Sequence, residues 1–304
     1  MPKENVIHHV LIANRGEIAI RIARAAAEAG IATTAIYATD DANSLHVQRV
    51  DNAVALDGVG PAAYLDIDGV VAAAKEAGAD AIHPGYGFLS ENAAFAEVAT
   101  AAGLAFVGPS PAALSAFGDK ANARRLAIEC NVPVIPGTDG PTDPQDARAF
   151  FEGLGPDGAV MVKAVAGGGG RGMRPVTDLE QLADALARCA SEAEAAFGDG
   201  GVYLEKLIPD ARHIEVQVAA DQEGNVVVLG DRDCSLQRRR QKIVEVAPAP
   251  GLTKDQRAAF HQHASELTKA AQYCGLGTVE FLLGGDGTLS FIEFNARLQV
   301  EHTV

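Results

Sequence analysis

The segment MVKAVAGGGGRGM, residues 161–173, decides how the rest of the chain is interpreted. An apolar run ends at Lys163, and five of the next nine residues are glycine. Glycine loses much backbone entropy on folding, so a run of four is kept where the backbone must move or approach a ligand closely. Lys163 and Arg171 indicate an anionic ligand, with phosphate the first candidate. The alternative is a flexible linker, and no Gly-Lys-Ser/Thr follows that would make a common P-loop.

The composition is typical of a globular chain with a large core. The 304 residues are 48% hydrophobic, which predicts roughly two or three globular parts. A net charge of −15 argues against non-specific binding to nucleic acid or to an anionic membrane. The four cysteines form no CxxC pair, so buried reduced thiols are expected rather than a zinc site. No apolar run reaches the ~18 residues of a membrane span or resembles a signal peptide, and we expect a cytoplasmic protein.

Apolar strands and helices alternate through the first part of the chain. HHVLIAN precedes a helix from about Glu17 to Ala29, and a second apolar run follows Gly30. The alternation continues to about residue 118, which predicts a parallel sheet covered by helices. The first turn, NRGE, has one glycine, whereas a dinucleotide-binding turn needs about three. NAD binding is therefore disfavoured.

The rest of the chain divides into a small part and a strand-rich part. NVPVIPGTDGPTDP marks the boundary, because Pro and Gly interrupt regular structure. A strand to Lys163, the glycine loop, a helix from about Asp178 to Phe197 and a strand closing near residue 208 form a mobile lid. Strands dominate after Pro209, with DQEGN as a hairpin turn. We predict an α/β fold of three domains: an N-terminal parallel-sheet domain (1–130), an α+β lid (131–207) and an incomplete C-terminal α+β domain with an antiparallel sheet (208–304).

The loop HPGYGFLSEN, residues 83–92, combines two glycines with polar side chains directly after a strand. Loops at the carboxyl ends of strands bind ligands in open α/β sheets. The alternative is an ordinary strand-to-helix turn capped by Ser90 or Asn92.

Polar residues alternate along the last strand, SFIEFNARLQVEH. While the strand stays extended, alternation places one row of side chains on a single face: Phe291, Glu293, Asn295, Arg297, Gln299 and Glu301. Phe294, Leu298 and Val300 fall on the other face. The alternative is a half-exposed strand without a ligand.

Glu280 is the one carboxylate in the apolar strand GTVEFLL, and the turn GGDGT joins this strand to the polar row. Pairing of the two strands can bring Glu280 near Glu293. Two carboxylates and the Asn295 amide are hard ligands that suit Mg²⁺. Without a metal the carboxylates would repel, or one would hold a proton. The pattern therefore predicts a magnesium–nucleotide site.

Basic residues cluster in CSLQRRRQKIV. Arg238 and Arg239 are typical of a solvated loop, whereas Lys242 opens an apolar strand and can point at an anion. His213 also begins a strand, where a lone histidine is more often structural than catalytic.

These segments resemble the ATP-grasp enzymes and, more closely, biotin carboxylase. The matching motifs run in order over nearly the whole chain: IANRGEIA, HPGYGFLSEN, GDK, VKA…GGGGRGM, EKLIPDARHIEVQV, DRDCSLQRRRQK and IEFNARLQVEH. The resemblance implies a ligase that uses ATP and bicarbonate to carboxylate biotin through carboxyphosphate, as the first half-reaction of a biotin-dependent acyl-CoA carboxylase. The glycine loop would then close over phosphate and exclude water.

The resemblance also implies a role for each matching residue. ATP would be bound by Lys120, Lys163, Gly169, Gly170, Arg171, Gly172, Glu205, Lys206, Ile208, His213 and Gln237. Mg²⁺, with Mn²⁺ as an alternative, would be held by Glu280, Glu293 and Asn295. Bicarbonate would be held by Lys242, Arg297, Gln299, Val300 and Glu301. Within that set Glu301 is the expected base and acts with Lys242 and Arg297 in catalysis. The ring of carrier-bound biotin would dock at Tyr86 and Gly87.

The chain departs from the family pattern at Arg240, where histidine is common, at Ala296, where threonine is common, and at Thr303, where proline is common. It also stops at Val304, about where the family continues, and has no Ala-Met-Lys-Met carrier segment. We therefore expect the N-terminal part of a longer carboxylase. Its expected partners are a biotin carboxyl carrier domain and a carboxyltransferase, in the same chain or as separate subunits, with a homo-oligomer in the complete protein and no nucleic-acid or membrane partner. The alternatives are another ATP-grasp carboxylate–amine ligase and a nucleotide-binding fragment without turnover.

Overall fold

The computed structural model describes residues 6–156, 158–165, 172–238 and 240–304, and it contains three sheets. The strands of the N-terminal sheet are β1 (His9–Ile12), β2 (Ala32–Tyr37), β3 (Asn52–Ala55), β4 (Ala81–His83) and β5 (Ala105–Phe106). All pair in parallel, in the order β3-β2-β1-β4-β5. The predicted parallel sheet is confirmed. The edge strand β3 is an addition, since its sequence NAVA is short and largely exposed.

Helices α1 (Gly16–Glu28), α2 (Ile67–Glu76) and α3 (Ala93–Ala101) cover this sheet. The helix predicted from Glu17 to Ala29 is thus confirmed to within one residue at each end. Asn92 caps α3, because its side chain accepts a hydrogen bond from the Phe95 amide at 2.9 Å. Three short 3-10 turns, Thr39–Asp41, Val47–Arg49 and Gly60–Leu65, complete this part.

The small middle part consists of α6 (Pro144–Gly153), β6 (Val160–Ala164), β7 (Met173–Val176), α7 (Leu182–Phe197) and β8 (Val202–Lys206). The sheet order is β7-β6-β8, entirely antiparallel. Lys163 pairs with Met173, so the glycine loop connects a β-hairpin rather than leading directly to a helix. Residues 166–171, which include Gly169, Gly170 and Arg171, lie outside the described part of the chain. The first turn of the helix predicted from Asp178 is a 3-10 turn, Leu179–Gln181.

The third sheet contains β9 (Arg212–Ala220), β10 (Val226–Arg238), β11 (Gln241–Val246), β12 (Gly275–Leu283) and β13 (Leu289–Asn295). It is antiparallel in the order β11-β10-β9-β12-β13. Helices α4 (Pro111–Gly118), α5 (Lys120–Glu129) and α8 (Lys254–Ala270) supply residues to its core. In that core the rings of Phe117 and Phe294 stack at 4.0 Å. The domain boundaries at residues 130 and 207 stay a prediction.

The polar row predicted along the last strand is wrong beyond Asn295, where β13 ends. A 3-10 turn follows at Val300–Thr303, so Arg297, Gln299 and Glu301 do not lie on a strand. A bulge also breaks the alternation earlier. Glu280 pairs with Glu293, but the adjacent Phe281 pairs with Phe291, which leaves one extra residue in β13. Phe291 therefore joins Phe294 in the core instead of sharing the face of Glu293.

Among the described residues no helix is both long and apolar enough to cross a bilayer. All four cysteines are free thiols, with Cys189 and Cys234 buried and Cys130 and Cys274 half-buried.

Candidate functional site

A cleft of about 770 Å³ lies between the lid sheet and the third sheet. It is lined by nearly all of the predicted site residues that the structure describes: Tyr86, Gly87, Lys120, Lys163, Glu205, Lys206, Ile208, His213, Gln237, Lys242, Glu280, Glu293, Asn295, Arg297, Gln299, Val300 and Glu301. Gly172 is described but stands in the β6–β7 hairpin, where its carbonyl accepts a hydrogen bond from Ala164. Residues far apart in sequence are thus brought into one site.

Glu280 and Glu293 face each other across β12 and β13, as expected from the sequence. Asn295 donates to Glu280 Oε1 at 2.8 Å. Burial and the charge of Glu280 raise the pKa of Glu293 to about 7. Burial would also raise the pKa of Glu280, but contacts with His213 and Lys242 lower it. A buried carboxylate pair of which one member tends to hold a proton fits a cation, because Mg²⁺ takes such oxygen ligands.

Lys242 lies among three carboxylates. Its Nζ is 3.1 Å from Glu280 Oε1 and 3.2 Å from Glu301 Oε1, and it donates to Glu215. Burial opposes the charged form of this lysine, but the charges of Glu280 and Glu215 raise its pKa. The side chain is therefore a fixed cation at the edge of the carboxylate cluster.

A buried polar layer under Lys242 was not predicted from the sequence. Glu215 is fully buried and contacts Arg232, itself 2% exposed, at 3.2 Å. The Arg232 guanidinium also donates to Gln217 at 3.0 Å and to Gln299 at 3.2 Å. A signal existed, since Glu215 and Gln217 alternate with Ile214, Val216 and Val218 in HIEVQV.

His213 joins two groups of site residues. Its Nε2 lies 3.0 Å from Glu280 Oε2, an ion-pair contact, and its Nδ1 lies 2.9 Å from Gln237 Nε2. Burial lowers the pKa of His213, but the contact with Glu280 outweighs it and the pKa is raised. His213, Glu215 and Glu280 have ligand atoms within 4.8 Å of one another and form a possible metal set. Lys242 already contacts both carboxylates of this set, so its ammonium supplies positive charge there.

The lid side of the cleft contributes basic residues. Lys163 forms a buried ion pair with Glu205. Burial lowers the pKa of Lys120, partly offset by the charge of Glu293. Arg240, where the family commonly has histidine, reaches from the β10–β11 turn to the lid. It donates to the Met173 carbonyl at 2.7 Å and to Met161 Sδ at 3.1 Å. Arg240 therefore links the two walls of the cleft.

The N-terminal part closes the remaining side. Arg297 Nε donates to Glu91 at 2.8 Å, and its terminal nitrogen donates to Asn295 Oδ1 at 3.1 Å. Glu91 belongs to the loop HPGYGFLSEN, so this loop lines a site as well as capping α3. Tyr86 in the same loop donates to Glu17, and burial, with that contact, raises its pKa. Val300 is 57% exposed.

Comparison with known proteins agrees with this arrangement along the chain. Residues 6–114 match the family model "Biotin carboxylase, N-terminal domain", and residues 119–304 match "Carbamoyl-phosphate synthase L chain, ATP binding domain". The crystal structure of a biotin carboxylase–beta-gamma-ATP complex from Campylobacter jejuni has a TM-score of 0.95 and 44% identity, over 98% of this chain and 67% of that one. The chain belongs to the biotin carboxylase family.

Other members of the biotin carboxylase family are similar over the same length. Biotin carboxylase from Nostoc is 48% identical over 97% of this chain and 66% of its own length. The alpha3 subunit of a biotin-dependent acyl-coenzyme A carboxylase from Mycobacterium leprae is 49% identical, over 98% of this chain and 50% of its own length. The biotin carboxylase domain dimer of Hydrogenobacter thermophilus 2-oxoglutarate carboxylase, in complex with MgADP, ADP and bicarbonate, has a TM-score of 0.94 and 43% identity over 99% of this chain and 66% of that one. The chain thus spans between a quarter and two thirds of the length of curated relatives.

Proposed function

We propose that this chain carries the ATP-dependent carboxylation of biotin by bicarbonate, through carboxyphosphate. The observation that carries the proposal is the position of Lys242. Its ammonium stands between Glu280 of the carboxylate pair and Glu301 of the last turn, in one cleft with Lys120 and Lys163. A reaction that joins a phosphoryl group to a second anion needs such adjoining cationic positions, because the two anions otherwise repel each other.

The residues of the chain divide the proposed work between two regions. Lys120 and Lys163 bind the phosphates, and the segment Glu205–Ile208 with His213 and Gln237 lines the nucleotide. Glu280, Glu293 and Asn295 fit Mg²⁺, or Mn²⁺, which would offset phosphate charge when bound. In this proposal the glycine loop, whose residues 166–171 lie outside the described part of the chain, serves to keep water from the unstable carboxyphosphate.

The second region handles bicarbonate and biotin. Lys242 and Arg297 hold the bicarbonate anion, with Gln299 and Val300 beside it. Glu301 is the base that accepts a proton from bicarbonate or from biotin. In this proposal Lys242, whose Nζ is 3.2 Å from Glu301 Oε1, orients that carboxylate toward the proton it accepts. The biotin ring docks at Tyr86 and Gly87.

The wider assignments are also proposals. We place the domains at residues 1–130, 131–207 and 208–304, and expect biotin to arrive on a carrier domain that also serves a carboxyltransferase. An acyl-CoA is the proposed final acceptor. The acyl-CoA carboxylase subunit from M. leprae is 49% identical and pyruvate carboxylase from Staphylococcus aureus is 50% identical. In this proposal the acceptor is selected by the carboxyltransferase.

The proposal is tested by ATP hydrolysis with Mg²⁺ and bicarbonate, with and without free biotin, alongside calorimetric titration of MgADP. We expect turnover that needs bicarbonate and rises with biotin. Turnover indifferent to biotin would favour another ATP-grasp ligase. MgADP binding without turnover would contradict the proposal for the 304-residue chain and identify a nucleotide-binding fragment.

A further inference from the structure

A second cavity, of about 400 Å³, lies behind the nucleotide-facing wall of the cleft. Four residues line both spaces: Lys120, Tyr203, Glu205 and Ile292. The outer walls come from α5 and from the segment around Thr138. A volume of this size is in the range, roughly 300–1,000 Å³, of small-molecule sites. The proposed reaction uses none of the residues that belong to this second cavity alone.

The lining of the second cavity is positively charged in a strongly acidic chain. Glu205 is already paired with Lys163, which leaves Lys120, Arg124 and Arg125 against Asp139. Arg124 donates to the Ile135 carbonyl, and its Nε has no hydrogen-bond partner among the described residues. Arg125, whose side chain is 69% exposed, lies 3.8 Å from the exposed Glu129. The cavity therefore favours an anion.

Several other residues of the lining are apolar. Ile128 of α5, Val165 at the end of β6, and Phe291 of β13 face the cavity. Such a combination suits a compact anion with an apolar body, because the apolar surface supplies affinity and the guanidinium groups fix the orientation. A highly charged polyphosphate would leave these apolar walls without a partner.

We infer that this second cavity is a binding site for a small aromatic or branched monoanion, such as a carboxylate. A ligand in this cavity would contact Lys120 and Glu205, which also line the cleft proposed for the nucleotide. An added negative charge beside Lys120 competes for the cation that a phosphate would use, so the two ligands weaken each other's binding. Because coupling between sites is reciprocal, the factor is the same in both directions, and we expect about fivefold.

The test uses 4-biphenylcarboxylate and its neutral amide as probes of the intact chain, followed by calorimetry and saturation-transfer NMR. The carboxylate should bind at least about tenfold more tightly than the amide, as expected for a charge-assisted pair with arginine. Saturating MgADP should weaken the carboxylate about fivefold without displacing it. Equal affinities for acid and amide, or complete displacement by MgADP, would overturn the inference. The titration without nucleotide tests the cavity even where the proposed reaction fails.

Two variants separate the second cavity from other apolar surfaces. Ala121→Trp fills the cavity from α5 and should weaken the carboxylate at least about tenfold, whereas Glu129→Trp, on the same helix but not in the lining, should not. Arg125→Glu adds no bulk and should weaken the acid but not the amide. Its matched control is Arg148→Glu, which also removes an exposed i,i+4 pair. Unchanged carboxylate binding in both Ala121→Trp and Arg125→Glu, with normal thermal unfolding, would refute the site.

Discussion

Replacing Lys242 with methionine removes the ammonium but keeps most of the side-chain length, so it isolates the charge. Glu215, Glu280 and Glu301 then lose a shared cation in a site where their side chains are at most 8% exposed. Breaking a buried ion pair by removing one partner costs about 3–5 kcal/mol. Glu215 keeps Arg232, and Glu280 keeps His213 and Asn295. We therefore expect the low end, a loss of about 3 kcal/mol in the free energy of unfolding.

The loss of unfolding free energy in Lys242→Met should increase as the pH rises. Burial and the charge of Glu280 already raise the pKa of Glu215, and Lys242 is the first group that opposes this rise. Without the lysine, the pKa of Glu215 in the folded state rises further above its value in the unfolded chain. The folded variant then binds more protons than the unfolded one, so its stability falls as pH rises. The deficit relative to wild type should be largest at pH 8 and smaller at pH 5.5.

Urea unfolding of the chain without nucleotide or Mg²⁺, at both pH values, measures this deficit. Lys254→Met is the control, because Lys254 is exposed at the start of α8 and surface substitutions change stability by about 0.5 kcal/mol or less. A deficit below about 1 kcal/mol at pH 8 would contradict the buried-pair argument. A deficit that grows on acidification would show that the carboxylates do not depend on Lys242.

Two other predictions concern the cleft. Arg240→Ala removes the hydrogen bond from the β10–β11 turn to the Met173 carbonyl. Because a hydrogen bond from a charged donor contributes about 1.5 kcal/mol or more, we expect the affinity for MgADP, measured by calorimetry, to fall about tenfold. Arg238→Ala, at an exposed arginine, should bind normally, and equal affinity in both variants would exclude a role for the Arg240 contact. Glu293, with a pKa raised to about 7, must lose its proton to ligate metal. Calorimetry of MgADP binding in buffers of different ionisation enthalpy should therefore show proton release at pH 6.5 that disappears in Glu293→Gln; identical release in that variant would place the proton elsewhere.

Much of the fold follows from the sequence because its signals are local. The helix at Gly16–Glu28 and the hairpin at DQEGN depend on apolar periodicity and turn residues alone. The pairing of Glu280 with Glu293 was also predictable, since a short turn fixes the register of the two strands. The strand β7 could not be predicted from its own residues, because MRPV has no alternating pattern and forms a strand only by pairing with β6.

The site residues that match the family's motifs could be named from the sequence. The residues whose positions depend on tertiary contacts were harder to predict. Strand alternation failed at Asn295, because nothing in the local pattern reveals that the chain leaves the sheet there. The buried Arg232 also escaped prediction. A charged residue in GDRDCS is normally taken as exposed. Its burial is offset by hydrogen bonds to residues distant in sequence, such as Gln299 in the segment after β13.

The segment after β13 has a mechanical consequence. Three of its side chains are each braced from a different part of the molecule: Arg297 by Glu91 in the N-terminal loop, Gln299 by Arg232 in β10, and Glu301 by Lys242 in β11. Glu280 and Glu293, by contrast, are fixed by the ladder of a single sheet. If the N-terminal part moved, the hydrogen bond between Glu91 and Arg297 would carry the displacement to Arg297 in the site. Glu280 and Glu293 would keep their spacing, because the sheet fixes it. The positions of Arg297, Gln299 and Glu301 therefore depend on how the N-terminal loop, β10 and β11 are placed relative to one another.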